Sequence, residues 1–222
     1  TPTLMLKLRA AELFVELGLQ LELWADEIAN GSGNSKVTKG AKGRLAASTG
    51  IAREEVPSVI TRAEGDIHPE GNPHIWLDPL RAKSLAENIA AGLVELLPAK
   101  KAAIEERLKN FKDRIDEALF GAELVKAVGA KPLARKAADG TLITWLEEKK
   151  LSGKLGGWTK KAAPLRGAKV VEFHRTWIYF ATLFGFAIVG SIEPKPGITP
   201  GPKLLAERLE VPELPEQDGM AQ

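Results

Sequence analysis

Apolar positions along the chain fall into helical and strand-like runs that alternate. Leu4 to Leu8 with Ala10 has helical spacing, with Lys7, Arg9 and Glu12 on the outer side, and Glu12–Glu16 then alternates like a short strand. Asn30–Gly43 carries no apolar period and reads as a surface excursion, while residues 45–60 are too broken to assign. Asp78–Pro79 is an N-cap followed by a first-turn proline, opening an amphipathic helix through Leu80, Leu85, Ile89, Leu93 and Leu96. Pro98 interrupts it, and a second helix follows over 99–120 with Ile104, Leu108, Phe111, Ile115 and Leu119 on one side. Its other face, Lys100, Glu105, Glu106, Lys109, Lys112, Asp113 and Asp116, reads as a solvated flank. Gly129, Gly140 and Gly153 divide the next stretch into two or three short helices, Gly156–Trp158 reads as a turn, and Trp145 and Trp158 are expected in the core. Lys169–His174 is the clearest strand, apolar and β-branched. A helix over 175–184 with Trp177, Phe180, Ala181 and Phe184 inward comes next, then a strand over 186–192. A proline-rich loop over 193–202, a helix over 204–210 and a tail over 211–222 complete the pattern, which is that of an α/β protein.

Composition narrows the function classes. The 222 residues carry 31 basic and 29 acidic side chains, a net charge of +2 that gives no general attraction to nucleic acid. There is no run of about eighteen apolar residues, so no membrane span is expected, and the residues from Thr1 onward do not have the basic-plus-apolar pattern of a leader. With no cysteine, any metal must be held by histidine and carboxylate. No G-x-G-x-x-G, phosphate loop or H-E-x-x-H pattern is present.

The chain has three histidines, and their placement is the chemical signal. His68 and His74 lie in the Pro/Gly/Asn stretch 65–79, which neither helix nor central strand accommodates. Pro73 fixes the backbone before His74, and the strand ending at His174 delivers that ring where open α/β sheets bind ligands. His74 and His174 are therefore candidate ligand-contacting residues, with His68, six residues before His74, a supplementary one. Glu172, on the same side of the strand as His174 by alternation, is a candidate to support that ring from behind.

Asn72–Pro79 with Arg81–Ala90 resembles the middle ligand motif of the metal-binding (zinc and manganese) substrate-binding proteins of ABC transporters, the cluster A-I group. Val170–Phe180 resembles that family's strand ending in the third ligand, Ser191–Gly197 the loop after the next strand, and Leu6–Trp24 an opening helix, strand and loop. The resemblance implies two lobes with parallel sheets flanked by helices and joined by a long rigid connector helix. It places an N-terminal α/β lobe over 1–98, the connector over 99–120, a helical insertion over 121–164 and part of a C-terminal α/β lobe over 165–210. His74 matches the second ligand and His174 the third; the first and fourth match nothing here, so the chain is expected to be incomplete at both ends. The implied function is that of a monomeric periplasmic or otherwise extracytoplasmic receptor that takes up Zn2+, or alternatively Mn2+, and delivers it to an ABC permease, with a lipid anchor in the full-length form left open. A metal-stabilised surface adhesin on the same scaffold and a metal-dependent hydrolase are the alternatives.

Overall fold

The computed structural model describes residues 2–57, 68–193 and 201. Helix α1 (Pro2–Arg9), strand β1 (Phe14–Glu16), helix α2 (Ala25–Gly31) and strand β2 (Arg44–Ala46) open the chain, with β1 and β2 parallel and Val15 paired to Leu45. Arg44 ties this small sheet together: its guanidinium lies over the Phe14 ring and donates to Glu16 at 2.7 Å and to Asp26 at 3.0 Å. The segment between α2 and β2 is not the surface excursion that its polarity suggests. Val37 and Ser32 are buried, and Asn34 Nδ2 donates to Leu8 O and Ala11 O, so side-chain hydrogen bonds take the place of apolar periodicity.

Asp78 caps helix α3 (Pro79–Leu96) as expected, its Oδ1 accepting from the Leu80 and Arg81 amides. A 3-10 turn at Pro98–Lys100 leads into α4 (Lys101–Phe120). One member of the predicted solvated flank is buried: Asp116 pairs with Lys83 of α3 at 2.5 Å. Helices α5 (Ala122–Val128), α6 (Ala130–Ala138), α7 (Leu142–Glu148) and α8 (Gly157–Ala162) follow, four where two or three were expected. Their core joins Leu119, Phe120, Leu124, Leu133, Leu142 and Leu146 with Phe184. Gly157 starts α8 instead of closing a turn. Its φ is +59°, and a Cβ there would stand 2.2 Å from Ala118 O, so α8 rests directly on the α4 backbone. Trp145 packs against the core, but Trp158, projecting from the first turn of α8, is 45% exposed and does not.

Strand β3 (Lys169–His174), helix α9 (Ile178–Phe184) and strand β4 (Ala187–Glu193) form a second parallel pair, with His174 opposite Glu193. Among the described residues the architecture is thus two small parallel sheets flanked by helices, the α/β class predicted. Helix α9 begins three residues later than its pattern suggests, because Glu172 Oε2 accepts from the Thr176 and Trp177 amides and holds a turn there. The delay rotates the aromatic face. Trp177 is 46% exposed instead of inward, and Tyr179 is fully buried in a second core with Leu19, Ala47, Ile75 and Leu85. The loop expected over 193–202 is described only at Glu193, which ends β4, and at residue 201; the helix expected over 204–210 and the tail over 211–222 lie outside the described residues.

Candidate metal centre

His74 caps a 3-10 turn (Ile75–Leu77) immediately before α3, and His174 ends β3. A hundred residues apart in sequence, their rings meet edge to face with centroids 5.9 Å apart. Two imidazoles binding one tetrahedral ion at ~2.0–2.1 Å would bring their centroids to ~5 Å, so the observed spacing is within a small rotation of a shared metal.

The hydrogen bonds fix which nitrogen each ring presents. Asn72 Nδ2 donates at 2.8 Å both to Glu55 Oε2 and to Arg175 O, so the amide oxygen is the end that faces His74. That oxygen accepts from the His74 backbone amide at 3.0 Å and lies 2.8 Å from His74 Nδ1. Because it can only accept, Nδ1 carries the proton and Nε2 keeps its lone pair. His174 is held alike: Glu193 Oε2 lies 2.7 Å from its Nδ1, and a carboxylate again assigns the proton to Nδ1. Both rings therefore offer Nε2, the arrangement in which metal-binding histidines are normally held from behind by an acceptor. Burial, with smaller contributions from the neighbouring His174 and His68, lowers the His74 pKa to about 4, so its ring is neutral at physiological pH.

Of the four residues expected here, the structure brings His74 and His174 together. His68 sits at the turn leading to them, near enough for its charge to act on His74, with its carbonyl accepting from Gly71 N. Glu172 is buried, but its carboxylate serves the turn after β3 and Ser191 Oγ; the acidic group behind His174 is Glu193. Among the described residues no group of three or more metal-binding side chains assembles. Two imidazoles fit a first-row divalent cation, with solvent or other donors completing the shell.

Asn72, Tyr179 and Glu193 escaped the sequence reading. Tyr179 Oη donates to Asn72 O at 2.6 Å and accepts from Glu54 N at 3.1 Å, clamping the strands of chain beneath His74. Arg81 stacks on the Tyr179 ring and pairs with Glu54 and Asp78, and Glu55 reaches Arg175 at 3.2 Å. Burial of Tyr179 raises its pKa, which keeps the donor protonated.

Comparison with known proteins shows what the chain and its fold resemble. The chain is 24% identical over 201 residues to the zinc-binding lipoprotein AdcA of Streptococcus pneumoniae, covering 86% of this chain and 39% of AdcA. It spans between 32% and 39% of the lengths of the curated relatives it matches. Its fold resembles the Zn(II)-bound AdcAII variant of Streptococcus pneumoniae with a TM-score of 0.59 at 22% identity, over 95% of this chain and 63% of that one. It also resembles the substrate-binding protein FpvC of Pseudomonas aeruginosa in complex with Mn2+, with a TM-score of 0.58 at 16% identity, over 89% of this chain and 56% of FpvC. Among the described residues no helix is long and apolar enough to cross a membrane. The family model of the periplasmic zinc-uptake complex component A, ZnuA, matches residues 1–128, and on that match over more than half its length the chain belongs to this family of metal-binding ABC substrate-binding proteins.

Proposed function

We propose that this chain is the metal-capturing part of an extracytoplasmic receptor that binds Zn2+ between His74 and His174 and passes it to an ABC importer permease. The observation that carries the reading is the pairing of two neutral-capable imidazoles from distant segments, each with Nδ1 engaged by an acceptor and Nε2 left for a cation. Zinc is preferred because two nitrogen donors suit it better than manganese, which favours oxygen. The names of AdcA and of the matching family also speak for zinc, while FpvC with Mn2+ keeps manganese as the second candidate.

The chemistry is reversible capture. The neutral His74 ring need shed no proton before coordinating, and two ligands a hundred residues apart in sequence let the metal favour the arrangement in which both are near. In this proposal the N-terminal lobe supplies His74, the C-terminal lobe His174, and α4 is the rigid connector between them. Turnover chemistry is not required of any of these residues, and the role is that of a carrier.

Competition of the purified chain against a chromogenic zinc chelator tests the proposal, repeated with Mn2+. A zinc affinity lost in the H74A/H174A double variant and exceeding that for Mn2+ supports it. Equal affinity in parent and variant refutes the site, and a stronger Mn2+ affinity reverses the metal.

A further inference from the structure

Asn72 makes four directed side-chain contacts beside the two histidines. It is 6% exposed, and each of its amide valences is used: Oδ1 takes the His74 amide and Nδ1, and Nδ2 gives to Glu55 Oε2 and Arg175 O. Its backbone is fixed as well, by Asn72 N to Glu54 O at 3.0 Å and by Tyr179 Oη to Asn72 O. Arg175 is the residue after His174, so a single amide spans the loop bearing one ring and the turn bearing the other.

Resting on the reading of His74 and His174 as the metal pair, we infer that Asn72 is a positioning residue for the metal site: its amide selects the His74 tautomer with Nε2 unprotonated and latches the His74 loop to the turn after His174. Two features make the assignment specific. Neutral histidine in water favours the proton on Nε2, which would block coordination through that nitrogen, and the Asn72 acceptor reverses that preference. The acceptor cannot be the other end of the amide, because Glu55 and the Arg175 carbonyl both require donors. The same side chain therefore settles the chemistry of one ligand and its distance from the other, and both conditions are met before any metal arrives.

The experiment is a long-range 1H–15N correlation spectrum of the histidine side chains in the metal-free chain at about pH 8, above the ordinary histidine pKa of ~6.5. Parent, N72A and N72D are compared, with backbone amide spectra as the check on folding and chelator competition as the check on zinc. The parent is expected to show His74 protonated on Nδ1. N72A is expected to shift His74 toward the Nε2-protonated form and to weaken zinc binding by ~10–100-fold, the range for loss of a group behind a ligand. N72D, which keeps an acceptor but sets a carboxylate against Glu55 and the Arg175 carbonyl, is expected to retain the parent tautomer. An Nε2-protonated His74 in the parent overturns the inference, as does a folded N72A with tautomer and zinc affinity unchanged. Should N72A fail to fold, the parent and N72D spectra decide alone. Absence of zinc binding by the parent leaves the tautomer result standing and counts against the metal reading itself.

Discussion

Replacing Tyr179 with Phe removes one oxygen from the centre of the structure and leaves the ring in place. The ring is fully buried and stacks under Arg81, and both features survive the substitution. What is lost is a pair of hydrogen bonds, Tyr179 Oη to Asn72 O at 2.6 Å and Glu54 N to Tyr179 Oη at 3.1 Å. Phenylalanine leaves the buried Asn72 carbonyl and the partly buried Glu54 amide without these partners. A buried group left unpaired costs ~1–3 kcal/mol, so two of them, one only partly buried, together cost ~2–4 kcal/mol. For a chain of this size that is a fall in Tm of ~5–15 °C. Urea unfolding followed by far-ultraviolet circular dichroism measures it, and the midpoint is expected to drop with the slope unchanged, since the surface exposed on unfolding is the same. A loss below ~0.5 kcal/mol, the level of an ordinary surface substitution, would refute the claim that Tyr179 clamps the 54–72 contact.

Added zinc at about 100 times its dissociation constant should raise the stability of the chelator-treated chain by ~2.7 kcal/mol, and this gain should vanish in H74A/H174A, read by thermal unfolding. Asp116→Ala strands Lys83 beneath α3 and α4 and is expected to cost ~3–5 kcal/mol, whereas the paired change K83M/D116L should cost much less, as urea midpoints will report. The contrast is the exposed Lys109–Asp113 pair, whose removal should leave the urea midpoint essentially unchanged. Since the His74 pKa falls to about 4 in the folded chain, the unfolded chain binds that proton more readily between about pH 6.5 and 4. Stability should therefore be complete above about pH 6.5 and decline as pH falls toward 4, with a shallower decline in H74Q, measured by urea midpoints across that range in the absence of metal.

The sequence carried the ligands and much of the fold because their signals are local. Three histidines in 222 residues make each one conspicuous, and a proline before His74 and a β-branched run before His174 announce rigid placement. Helix α3 was legible from its Asp-Pro start and apolar period, α4 from its own apolar period after the Pro98 break, and β3 from its continuous apolar run. The supports behind the ligands were not legible, since they are set by tertiary contacts with no period of their own. Glu193 reaches His174 only because β4 lies parallel to β3 in that register, and nothing in the eighteen intervening residues encodes it. Strand alternation favoured Glu172, and the alternation holds, but its carboxylate is drawn to the Thr176 and Trp177 amides. That same bond delays α9 and exchanges Trp177 for Tyr179 in the core, a shift invisible to an apolar count. Strand β2 is three residues long and flanked by polar loops, too short for a periodic signal.

The central claim is that His74 and His174 hold one metal together, and zinc-edge X-ray absorption on the zinc-loaded chain tests it most directly. The account predicts nitrogen neighbours at ~2.0–2.1 Å with the outer-ring scattering of two imidazoles, falling to one in H174A. A zinc environment of oxygen neighbours without imidazole scattering, or one unchanged by H174A, would contradict it.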